Sequence, residues 1–172
     1  MTTLIALYSK FYILLMAFLL MLFPNNGSLQ YNHLVQTNST DIAAPKIISA
    51  IKAKDVDALE ALMCKNIKVN VNDLPGQIGK LMNSIKGEII NSSWEAVGNY
   101  EANHGDGRAI LQVVLDIHLT TSTGTYYLGV TWETANSFAK EEVGIRNIGL
   151  LDSNNNLLAK ISATEGIGSW HD

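Results

Sequence analysis

Between residues 41 and 86 apolar side chains recur every three or four positions, and from Gly87 onward they alternate. The first spacing is that of helices with one buried face, and the second that of strands with one buried face. Helices followed by antiparallel strands predict an α+β domain in which one side of a sheet is covered by helices.

The helical block divides at its caps. Thr40 or Asp41 opens a first helix with Pro45 in its first turn and Ala44, Ile47, Ile48 and Ile51 on one face. Asp55 caps a second, carrying Val56, Leu59, Leu62 and Met63. Asn72 and Asp73, followed by Pro75, open a third, with Leu74, Ile78, Leu81, Met82 and Ile85 as its stripe. Lys86-Gly87 closes it. Three amphipathic helices need a sheet to cover.

The strands follow. Ile90, Trp94 and Tyr100 fall on one parity, and His104-Gly105-Asp106-Gly107 reads as a hairpin turn. Ala109, Leu111, Val113, Leu115, Ile117 and Leu119 alternate cleanly, and Ser122-Thr123-Gly124 turns the chain again. Tyr126, Leu128, Val130 and Trp132 make a third apolar face. Val143 to Asp152 is a fourth strand whose register slips, predicting a bulge at Arg146-Asn147. Leu157 to Ile161 is a short fifth. The whole predicts three N-terminal helices packed on a curved sheet of four or five strands.

Ahead of this domain, Phe11 to Phe23 is an unbroken apolar run of 13 residues behind Lys10. A basic residue before such a run fits a signal peptide or a membrane anchor. Counted from Leu4 it reaches roughly 20 residues, the length that spans a bilayer. Residues 1–28 are therefore expected to export or anchor the chain as an apolar helix, 29–40 to be a polar tether, and 41–172 to form the domain. All 16 acidic residues and all but one of the 12 basic ones follow Lys10. The exported part is mildly acidic, with no basic stripe of the kind that nucleic acid requires. Cys64 is the single cysteine, which excludes an intramolecular disulfide and any thiol cluster.

The stretch Ile47 to Leu62 (IISAIKAKDVDALEAL) resembles the opening helices of the nuclear transport factor 2-like superfamily. Together with Gly87-Glu88-Ile89-Ile90, Thr125-Tyr126-Tyr127-Leu128 and Val143-Gly144-Ile145, it is similar to the bacterial domain of unknown function 5104 over roughly residues 41–152. The resemblance implies a cystatin-like cone and carries no catalytic residues with it. Members of that group are often exported and lipid-anchored. This chain has no Cys just after its apolar run, so a protein anchor or plain secretion takes the place of a lipid.

Two sets of residues merit weighing as sites. Asp116 and His118 leave the same face of one strand about 7 Å apart, and a carboxylate that holds an imidazole can support general acid–base chemistry of a dehydratase or isomerase type. Their parity is opposite to the apolar face, which points them toward solvent or a second copy. Trp94, Tyr126 and Trp132 share the inward parity of their strands, and three rings on a concave face can line a pocket for a small apolar ligand or peptide. Burial alone would give each about 2–3 kcal/mol, so core packing accounts for them without any ligand. Four scattered histidines without HxH or HExxH spacing predict no metal site, and no motif predicts a cofactor. The expectation is an extracytoplasmic, membrane-anchored or secreted binding module, with the small-molecule enzyme as the alternative. A homodimer through the polar sheet face is the third reading.

Overall fold

The computed structural model describes residues 41–103 and 109–163. The apolar run, the tether, the hairpin turn at 104–107 and residues 164–172 lie outside the described residues. Residues 41–53 form α1. Then come α2 (Val56–Ala61), α3 (Lys65–Asn70), α4 (Leu74–Ser84), β1 (Ile89–Asn103), β2 (Ala109–Thr121), β3 (Thr125–Asn136), a 3-10 turn (Lys140–Glu142), β4 (Gly144–Asp152) and β5 (Leu157–Ser162).

Asp55 and Asp73 cap α2 and α4 as their positions predict, accepting from the N–H of Ala58 at 2.9 Å and of Gly76 at 3.3 Å. The described helices number four rather than three. The addition is α3, whose N-cap is Cys64 with no side-chain hydrogen bond and whose buried residue is Ile67. Its free first-turn amide at Asn66 is satisfied by the Glu142 carboxylate at 3.1 Å, from the far end of the chain.

The sheet is an antiparallel meander in the order β1-β2-β3-β4-β5, open, with β1 and β5 as its edges. Bulges re-aim side chains on four strands. Arg146 is the unpaired residue between Thr131↔Asn147 and Trp132↔Ile145, where the sequence predicts a bulge. On β1, Ile90 and Val97 are the unpaired residues. They overturn the expected single face for Ile90, Trp94 and Tyr100. Trp94 pairs with the buried Ile117, whereas Tyr100 pairs with Gln112 on the outer face, and Ile90 is exposed while Ile89 packs on the core.

One core joins the two layers. Ala43, Ala44, Ile47 and Ile51 from α1 and Ile78, Leu81 and Met82 from α4 meet Leu115, Ile117, Leu119, Leu128, Val130, Ile148 and Leu150 from the sheet. Each fully buried Ile or Leu contributes about 1.5–3 kcal/mol. Hydrogen bonds stitch the layers at two ends, backbone to backbone at the first and through side-chain hydroxyls at the second. Ile145 N–H donates to Leu62 C=O at 2.8 Å, and Cys64 N–H to Ile145 C=O at 3.0 Å. At the other end, Thr123 Oγ1 donates to Lys86 C=O at 2.8 Å and Glu88 N–H to Ser122 Oγ at 3.1 Å, with Gly87 at φ +79° making the turn between.

Candidate functional site

The C-terminal half of α1 stands over the start of β1 and leaves an open groove of about 570 Å³ between them. Its walls are Pro45, Ile48, Ser49, Lys52 and Ala53 from the helix and Ser92 and Trp94 from the strand. Toward β1 the helix presents Ser49, Lys52 and Ala53 beside Pro45 and the edge of the buried Ile48. Among the described strands β1 is an edge of the sheet, and its Ser92 N–H donates to the Asn91 side-chain oxygen at 2.9 Å. Trp94 keeps 37% of its surface exposed, so its ring is a large apolar surface that the core does not cover.

The three aromatics share the helix-facing side of the sheet, as seen in their register with Ile117, Leu119 and Val113. They are not brought together. Tyr126 is buried, and its hydroxyl accepts from Lys86 N–H at 3.1 Å, which ties β3 to the end of α4. Trp132 packs against the core beside Val113 and Ile145. Trp94 is the member of the trio that lines the groove.

On the opposite face, His118 Nε2 lies 3.4 Å from Asp116 Oδ2, with their side chains 42% and 35% exposed. Both alternate with buried Leu115, Ile117 and Leu119, so they stand on the side of the sheet away from the helices. The His118 ring meets Tyr127 edge-on, centroids 4.8 Å apart at 84°. The register adds a residue that spacing along the chain did not single out. Glu95 on β1 faces Asp116 directly, and Glu95, Asp116 and His118 each place a donor atom within 4.8 Å of the others.

Residues 46–153 match the family described as Domain of unknown function (DUF5104). The matched segment runs from α1 to the end of β4 and covers well over half of the chain. The chain belongs to this family. No curated protein matches it. Both faces of the DUF5104 domain described above fall within the match, apart from Pro45 at the groove rim.

The DUF5104 domain also holds a buried polar cluster, at the end of β3. Glu133 has no exposed surface. Its Oε2 accepts from Gln112 Nε2 at 3.0 Å and from Arg146 at 2.7 Å, and its Oε1 from Asn136 Nδ2 at 2.6 Å. Asn136 Oδ1 in turn accepts from Phe138 and Ala139 N–H, each at 2.9 Å. Burial would lower the Arg146 pKa, but the hydrogen bond and charge of Glu133 hold it above its ordinary value. These groups are occupied by one another and shape the loop into β4. Nearby, the buried Cys64 thiol is pushed up by burial, opposed by the Ile67 backbone and reinforced by Glu142, which makes it a poor nucleophile. Among the described residues no helix is long and apolar enough to cross a membrane, and the apolar run at 11–23 lies outside them.

Proposed function

We propose that the domain is a non-catalytic binding module that takes a small apolar ligand in the groove between α1 and β1. The observation that carries this reading is the partly uncovered Trp94 side chain, which lines with Pro45, Ile48 and Ala53 a space of about 570 Å³. Ligand sites of this size are lined by apolar side chains with a few polar groups that fix orientation. Here Ser49, Ser92 and Lys52 are those groups, and the Lys52 ammonium favours a ligand with an anionic end. A short extended peptide is the second occupant, supported by β1 being an edge strand of the described sheet.

In this reading the fold is a nuclear transport factor 2-like, cystatin-like cone. Residues 1–28 take it to the extracytoplasmic side, either staying as a membrane anchor or being removed as a signal. Catalysis by Asp116 and His118 has less support, because both side chains are partly exposed on the outer face, where water competes for the reacting groups.

The test is a fluorescence titration of the full chain with 1-anilinonaphthalene-8-sulfonate, an aromatic probe with one anionic group. Trp94→Ala is expected to weaken binding at least fivefold, Lys52→Ala to weaken it less, and Trp94→Phe to retain it. Equal affinity in wild type and Trp94→Ala would overturn the site. Native mass spectrometry of the purified protein then separates a small-molecule occupant from a peptide by mass.

A further inference from the structure

We propose that Glu95, Asp116 and His118 form a binding site for a first-row divalent cation, with Zn2+ as its reference ion, on the outer face of the sheet. The site is separate from the groove and does not rest on the reading given to it.

The donor set is mixed: two carboxylate oxygens and one imidazole nitrogen, drawn from adjacent strands. Zn2+ binds such ligands at about 2.0–2.2 Å in a tetrahedron, which puts neighbouring donors about 3.3 Å apart. His118 Nε2 and Asp116 Oδ2 already stand at 3.4 Å. The widest separation in the set is 4.8 Å, and Glu95 is an exposed side chain able to close it by rotation. A first-row ion suits the combination better than Ca2+ or Mg2+, which favour all-oxygen sites.

Three features beyond the donors point the same way. First, the register sets Glu95 directly opposite Asp116, and like charges facing each other across an antiparallel pair destabilise it. Among the described residues no Lys or Arg forms an ion pair with either carboxylate, so a bound cation would relieve that repulsion. Second, the edge-on contact with Tyr127 orients the His118 ring. Third, Asp116 pairs on its other side with Gly129, where a Cβ would meet nothing within 4 Å. That open floor leaves room for water or a ligand group in the fourth position.

The experiment is isothermal titration of the full-length protein, freed of metal by chelator and dialysis, with zinc chloride. One ion per chain is expected. His118→Ala and Glu95→Gln are each expected to lower affinity at least tenfold, with unchanged circular dichroism because both side chains face outward. A triple variant replacing His33, His104 and His171 by Ala is expected to keep the site. Absence of saturable binding up to 100 μM zinc, or affinity unaffected by either single substitution, would overturn the proposal. So would loss of binding in the triple variant. None of these outcomes alters the probe titration at the groove, so the two readings fail independently.

Discussion

The Arg146 guanidinium lies 2.7 Å from a carboxylate of Glu133 that has no solvent-exposed surface, and it reaches that carboxylate from the bulge residue of β4. Regular pairing would give Arg146 a partner across the ladder. The bulge leaves it unpaired there, with its side chain on Glu133. The Arg146 side chain is one-third exposed, so the pair is buried on the acidic side and partly solvated on the basic side.

Removing the cation leaves a buried carboxylate held by Gln112 and Asn136 alone. Arg146→Ala is therefore expected to cost about 2–4 kcal/mol, somewhat below the range for breaking a wholly buried pair. Adding Glu133→Gln in that background is expected to recover part of the loss, because the uncompensated charge is gone. Urea unfolding of the two single variants and the double variant measures the coupling. An additive cycle would show that the pair contributes nothing of its own.

A second prediction concerns Gly144, at φ +135° beside the segment that links α2 to α3. A Cβ there would lie 2.6 Å from Leu62 C=O and 3.0 Å from Cys64 N, both backbone atoms of the bonds that join helices to sheet. Gly144→Ala combines a backbone conformation that L-residues avoid with a clash that no side chain can relieve. The expected loss exceeds about 1 kcal/mol, the scale at which Gly-to-Ala changes act when the conformation is compatible. An unfolding midpoint equal to wild type would mean that this junction yields more than the packing suggests.

How much of this was legible in the sequence follows from how local each signal is. The caps at Asp55 and Asp73 and the alternation from Leu111 to Leu119 are written in neighbouring residues, and they locate α2, α4 and β2. The slip between Ile145 and Ile148 likewise showed the β4 bulge. Helix α3 was not legible, because the group that satisfies its first turn is Glu142, 76 positions away. The β1 bulges at Ile90 and Val97 were missed for a related reason: parity counted along one strand assumes regular pairing, and only the partner strand reveals an unpaired residue. The same limit hid Glu95 from the reading of Asp116 and His118. Their placement on the polar face followed from alternation, whereas the third donor arrives through cross-strand register. Trp94 was assigned to the helix-facing side, but its separation from Tyr126 and Trp132 depends on where α1 and α4 cross the sheet, which no spacing encodes.

A third prediction is the pH dependence of the turn between β4 and β5. Asp152 accepts from the Asn156 side-chain amide at 2.9 Å and from the N–H groups of Asn156 and Asn154 at 3.0 and 2.8 Å. The Asn156 side chain first, then the backbone donors, hold its carboxyl below the ordinary value of 3.8, against a small opposing effect of burial. Between that lowered value and 3.8 the unfolded chain binds more protons than the folded one, so stability rises with pH across this window. The contribution is complete above the ordinary Asp value and disappears as pH falls through the folded one. Asp152→Asn keeps an oxygen acceptor but removes the charge. Wild type is therefore expected to be more stable than this variant at pH 7, with the gap closing in the acid range below 3.8. Urea midpoints taken from pH 7 down to about 2.5 check the direction. A gap that stays constant over that range would assign the difference to hydrogen-bond geometry and leave ionisation of Asp152 with no part in it.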